Sequence, residues 1–160
     1  MSTRLRHDLT YDAPADAVTA MLADPAFREE VCDFQRVVRR TVVIEPVGEG
    51  MHVTIDQWQH TSGVPSFAKR FVGEETNIVQ REIWSTPLLG DISIAIPGKP
   101  GDINGTARID EAHGVTTETV DLSIKVGIPL LGGKLEDFVS GMVLRALKAE
   151  NKVGRDYLSR

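Results

Sequence analysis

Between about residues 134 and 158 apolar side chains recur every third or fourth position. Leu135, Phe138, Val139, Met142, Val143, Ala146, Ala149, Val153 and Tyr157 fall on one stripe, with Glu136, Asp137, Ser140, Lys148, Asn151 and Arg155 opposite. This is the pattern of a helix that buries one face. At ~1.5 Å per residue, roughly 25 residues span ~37 Å, enough to cross a small domain. Gly132-Gly133 opens the segment, and acidic residues early with basic ones late agree with the helix dipole.

The rest of the chain reads mainly as strands. Over residues 3–12, Leu5, His7, Leu9 and Tyr11 alternate with Arg4, Arg6, Asp8 and Thr10, the period of a half-buried strand. Pro14 then suits a first helical turn, with Val18, Met21 and Leu22 as a short apolar stripe. Asp24-Pro25 breaks this helix, and Asp24 is the expected N-cap of a second one reaching about Cys32. Residues 36–45 and 51–60 form strands around the hairpin turn Val47-Gly48-Glu49-Gly50. Residues 64–71 are ambiguous; Pro65 and Gly73 favour one or two helical turns. Four further strands cover 77–85, 91–96, 103–110 and 115–126, with turns at Pro87, Gly90, the Pro97–Gly101 cluster and His113-Gly114.

Composition narrows the function classes. The 160 residues are 41% hydrophobic and 26% charged, with a net charge of −5 spread along the chain. This argues against nucleic acid as a partner, and the basic group Arg36, Arg39, Arg40 is too small to reverse it. A lone cysteine, Cys32, excludes an intramolecular disulfide. The first residues lack the apolar stretch of a signal peptide, and no run approaches the ~18 apolar residues of a membrane span. We read the protein as cytoplasmic and without stable membrane insertion. With no repeat, low-complexity stretch or linker, residues 1–160 are expected to form one domain.

The order of a strand, two short helices, about six antiparallel strands and one long amphipathic helix resembles the START, polyketide-cyclase and birch-pollen-allergen superfamily (SRPBCC). Within it the chain is most similar to a bacterial family described as a domain of unknown function. The stretches that carry the resemblance are Ile96-Pro97-Gly98-Lys99-Pro100-Gly101-Asp102-Ile103-Asn104-Gly105 and Val126-Gly127-Ile128-Pro129-Leu130-Leu131-Gly132-Gly133-Lys134-Leu135-Glu136. The third is the segment 67–71 leading into Gln80-Arg81-Glu82-Ile83-Trp84. These motifs are turns and a helix start, and they transfer no catalytic residue. The resemblance implies an α+β helix-grip fold: a curved antiparallel sheet of about seven strands wrapped around the C-terminal helix. It also implies a cavity between them for lipids, sterols, polyketides or other apolar molecules. Fold alone does not decide function.

In such a fold the apolar phase of each strand faces the helix. That phase holds Leu5, His7, Leu9 and Tyr11; Ile92, Ile94 and Ile96; Ile103, Gly105, Ala107 and Ile109; and Val120, Leu122, Ile124 and Val126. Small Gly105 and Ala107 face Met142, Ala146 and Ala149, leaving a volume that either collapses or holds a ligand. The alternative for Gly105 is a tight backbone approach. Polar candidates inside are His7, Gln57, Gln59, Gln80, Glu82 and Glu150. His7 also fits a satisfied core histidine, and Glu150, at the edge of the helix stripe, reads as a solvated flank position. Gln80 and Glu82 share a phase with Ile78 and Trp84, against Val79, Arg81 and Ile83, and both phases stand. If Glu82 faces inward, burial would raise its pKa. Trp58 and Trp84 suit either pocket walls or ordinary packing, whereas Met51, Met142 and Phe138 suit core. The candidate ligand-binding set is therefore His7, Leu9, Tyr11, Trp58, Glu82, Trp84, Ile94, Gly105, Ala107, Leu122, Phe138, Met142, Ala146 and Ala149.

Catalytic signatures are weak. His52 and His60 share a strand face ~26 Å apart, too far for one metal ion, and His113 sits in a turn. Acidic Glu29, Glu30 and Asp33 near Cys32 would raise its thiol pKa, and no serine has nucleophile-elbow context. Gly127 to Leu135 departs from a phosphate loop in spacing and lacks its Ser/Thr. No metal, cofactor or catalytic residue is assigned. The leading expectation is a non-catalytic binder of a hydrophobic small molecule. A cyclase- or hydratase-type enzyme using His7, Glu82 or Tyr11 comes second. Third is a protein-interaction module with a patch around Leu144, Val64 and Phe67.

Overall fold

The structure, a computed structural model, describes residues 2–160. The chain runs β1 (Thr3–Tyr11), α1 (Ala15–Leu22), α2 (Pro25–Phe34), β2 (Arg39–Val47), β3 (Gly50–His60) and α3 (Ser66–Lys69). It continues through β4 (Glu75–Thr86), β5 (Leu89–Ala95), β6 (Asp102–Ala112) and β7 (Val115–Lys125) to α4 (Gly132–Leu158). The strands form one antiparallel sheet in the order β1-β7-β6-β5-β4-β3-β2. β1 and β2 are thus the two edges, and α1 with α2 carry the chain from one edge to the other.

Local chemistry explains the boundaries. Asp24 accepts a hydrogen bond from the Ala26 N–H at 3.0 Å, and Pro25 occupies the first turn of α2. The second Asp24 oxygen accepts the Tyr157 hydroxyl at 2.6 Å, so the cap also ties down the end of α4. β2 begins later than its composition predicts. Arg36 takes a left-handed conformation (φ 58°) beyond the α2 C-terminus, and its N–H bonds back to the Asp33 carbonyl. The β6–β7 hairpin turns on His113 and Gly114, both at positive φ, as a two-residue turn requires. The ambiguous segment 64–71 contributes only the single turn α3.

α4 lies across the sheet and packs most closely on β1 and α2. Its apolar stripe faces inward as the spacing predicts. Gly154 permits a close approach to β1: a Cβ there would stand 2.6 Å from a ring carbon of Tyr11. Asn151 and Arg155, on the polar flank, donate to the Thr10 carbonyl at 3.0 and 3.2 Å. Glu136 departs from the expected polar face. It is buried, accepting the Thr3 hydroxyl at 3.0 Å and the Val126 N–H at 2.9 Å. The first turn of α4 tucks between the start of β1 and the end of β7, and a carboxylate there also complements the helix N-terminus.

Candidate functional site: a cavity with a charged floor

The inner phases of β3 to β7 converge under α4 and leave a cavity of about 150 Å³. Ile55, Ile78, Ile94, Ile103 and Leu122 form the sheet wall; Val139, Met142, Val143 and Ala146 form the helix wall. A second space of about 100 Å³ extends toward the loops around Val64, Lys99 and Ile128. It shares Gln59, Ile78, Ile96, Val139 and Met142 with the first, so the two adjoin.

One end of the cavity is polar. Arg28 of α2 and Glu82 of β4 are each only 3% exposed and meet through two hydrogen bonds of 2.9 Å. The Arg28 Nε–H donates to the Leu22 carbonyl at 2.9 Å. The Trp84 indole N–H and the Gln80 amide complete the Glu82 shell at 2.8 and 2.6 Å. On the other side of Arg28, a Glu150 carboxyl oxygen lies 3.8 Å from Nη1. Gln35, Gln57, Gln59 and Gln80 add neutral amides to the lining. Behind this floor Glu118 and Tyr11 are sealed in, and neither Glu118 Oε1 nor the Tyr11 hydroxyl has a hydrogen-bond partner.

The acids differ in charge state for physical reasons. Burial alone would raise the Glu82 pKa, but the Arg28 charge and the three donors outweigh it and hold Glu82 below the ordinary carboxylate range. Glu118 has burial and two neighbouring carboxylates, Glu150 and Glu82, acting on it and no donor; its pKa is raised well above normal. Glu150 is pushed up to about 7, by burial first and by Glu82 as well, against the pull of Arg28. The Cys32 thiol, also on the cavity wall, is raised to about 11. Burial is the main cause there, rather than the acidic neighbours the sequence suggested.

The candidate residues divide accordingly. Ile94, Leu122, Met142 and Ala146 line the inner cavity, and Phe138 lines the outer space. Leu9, Ala107 and Ala149 are packed core, as is the ring of Tyr11. Gly105 leaves no vacant volume: a Cβ there would fall 1.9 Å from the Asp121 carbonyl oxygen, so close backbone approach explains it. His7 lies outside, in a surface depression with Lys148, Asn151 and Lys152, because β1 is the edge strand and meets the flank of α4. Trp58 sits on the strand phase opposite the buried Val53, Ile55 and Gln57, with the Arg39 guanidinium 4.9 Å from its ring. Glu82 and Trp84 do face inward, which decides the phase of β4, yet they form the layer beneath Arg28 rather than the cavity wall. The raised pKa expected of Glu82 is reversed by Arg28.

Glu150, read from the sequence as a solvated flank position, instead lines the cavity with its side chain 15% exposed. Arg28 and Glu118 escaped sequence reasoning, although signals existed. Arg28 precedes the apolar Val31 and Cys32 by three and four positions, and Glu118 shares the phase of Val120 and Leu122. Among the described residues no group of three or more His, Cys, Asp or Glu side chains has metal-holding geometry. Among the described residues no helix is long and apolar enough to cross a membrane.

Residues 6–158 match a family described as "Protein of unknown function (DUF2505)". The chain belongs to this family. No curated protein sequence matches it. Among solved structures, DUF2505 architecture is similar to that of TTHA0849 from Thermus thermophilus: 16% identity, 98% of this chain and 97% of that one covered, TM-score 0.66. The Zhui aromatase/cyclase from Streptomyces sp. R1128 is also 16% identical, with coverage of 100% and 95% and a TM-score of 0.66. Norcoclaurine synthase from Thalictrum flavum is 14% identical, with coverage of 96% and 86% and a TM-score of 0.61. At such identities these likenesses establish the helix-grip fold alone.

Proposed function

We propose that this DUF2505 chain binds or carries a hydrophobic small molecule, of lipid, sterol-like or polyketide-like character, between the sheet and α4. The observation that carries this reading is the cavity itself. Branched aliphatic side chains wall it, and a few polar groups gather at one end, the usual make-up of a small-molecule site. Close packing leaves few such voids in a protein interior, and an apolar space of this size has room for an apolar molecule.

Native mass spectrometry of the purified protein, with titration of fluorescent fatty acids and sterols, tests the proposal. A bound apolar molecule or saturable uptake is expected, and Ala146→Phe, which fills the space, should abolish it. A protein that carries nothing and takes up neither probe class overturns it.

One observation favours a second reading, an enzyme using general acid–base chemistry in the same cavity. Glu150 is a cavity-facing carboxyl with a pKa of about 7, able to hold or release a proton near neutrality. His7, Glu82 and Tyr11 do not support that role, being respectively outside the cavity, locked to Arg28, and sealed in the core. Turnover of a cyclisable polyketide analogue that is lost in Glu150→Gln would establish this reading; its absence with intact binding would remove it.

A further inference from the structure

We infer that the cavity's polar end selects a ligand whose apolar body carries a protonated amine, and that Glu150 is its partner. This rests on the binding proposal above and names the class of ligand. Among the described residues, the inner cavity wall carries two charged side chains, Arg28 and Glu150. Arg28 is already committed, with Nη1 and Nη2 on Glu82 and Nε on the Leu22 carbonyl. Glu150 is not: its oxygens make no hydrogen bond, and its nearest charged neighbour is Arg28 at 3.8 Å.

With Arg28 paired to Glu82, an ionised Glu150 has no cation of its own. Three carboxyl groups, Glu82, Glu118 and Glu150, act on the single Arg28 guanidinium, while the Tyr11 hydroxyl beside them is held neutral by burial and adds no charge. Glu82 neutralises Arg28. Glu118, 3% exposed, is left with an unpartnered oxygen. A ligand carboxylate entering here would meet the Glu150 carboxyl and a guanidinium already paired with Glu82. A ligand ammonium would supply the missing cation and the N–H donors that Glu150 lacks. A hydroxyl would supply one donor and no charge. A charge-assisted hydrogen bond in a low-dielectric site is worth substantially more than a neutral one. The lining amides of Gln57 and Gln80 tolerate any of the three heads and so do not discriminate among them.

Octylamine, 1-octanol and octanoate, matched in apolar body, distinguish the possibilities by isothermal titration with the intact protein. The amine should bind on the order of tenfold tighter than the alcohol, and the octanoate more weakly still. In Glu150→Gln the amine's advantage over the alcohol should vanish while alcohol binding persists. A second readout uses the wild-type protein alone. At pH 6 Glu150 is mostly protonated, so ammonium binding should release a proton, seen as an enthalpy that depends on the buffer's ionisation heat; octanol binding should not. Octanoate binding as tightly as octylamine, or an amine preference unchanged in Glu150→Gln, overturns the inference while leaving the cavity a binding site. Failure of all three probes to bind counts instead against the binding proposal.

Discussion

Arg28 and Glu82 stand 54 positions apart in the chain, yet their guanidinium and carboxylate meet as fork on fork, with both N–O distances 2.9 Å and each side chain 3% exposed. α2 and the middle of β4 are locked together by this pair beneath the cavity. Removing one partner strands a buried charge. Arg28→Met should therefore cost ~3–5 kcal/mol in urea unfolding, whereas Arg28→Met with Glu82→Leu should recover most of that loss. Additive single-mutant losses would show that the two are not coupled.

Stability should fall as pH rises from about 4.5 toward 7 and beyond. Glu150 has a folded-state pKa raised to about 7 from an ordinary 4.5, and Glu118 is raised as well. The folded state then holds protons that the unfolded chain has released, so its advantage is complete below the unfolded pKa and is lost through the folded one. Glu82 has the opposite sign: its pKa is lowered, and its contribution disappears as pH falls through the folded value. Glu150→Gln should flatten the decline between pH 5 and 8, removing ~1–3 kcal/mol of pH dependence. Denaturant midpoints across that range check the slope.

Gly154→Ala separates two effects of opposite sign. Helix propensity alone would favour alanine by ~1 kcal/mol. The new methyl, however, would meet the buried Tyr11 ring at 2.6 Å and the Met21 side chain at 3.2 Å. Overpacking should win, with a net loss of ~1–3 kcal/mol and a lower melting temperature. A higher melting temperature would show that α4 and β1 separate easily.

Cys32 should be inert. Its thiol is 3% exposed and raised to about 11, two units above its ordinary value of 9.0, so the thiolate is about 100-fold scarcer near neutrality. Iodoacetamide labelling at pH 8 should lag a free thiol by at least that factor. Because Cys32 also lies on the cavity wall, a bound apolar ligand should slow labelling further.

Periodicity alone located nearly every element, because a helix that buries one face or a strand that buries one side must write its period into the chain. The stripe from Leu135 to Tyr157 specified α4, the alternation from Leu5 to Tyr11 specified β1, and Asp24-Pro25 specified the break between α1 and α2. The site was less legible. Ile94, Leu122, Met142 and Ala146 were readable as wall because apolar phase and inward phase coincide. His7 obeyed the same alternation and still fell outside, since the pattern cannot tell an edge strand from a central one. What the chain determined by itself is therefore its elements and their buried faces, which depend on neighbours a few residues away. Only the tertiary structure decided that Arg28 would neutralise Glu82, that Glu118 would be left without a partner, and that Glu150 would turn toward the cavity. Charge and pKa depend on which groups lie within a few ångströms in space, and here those groups come from α2, β4, β7 and α4, elements that only packing brings together.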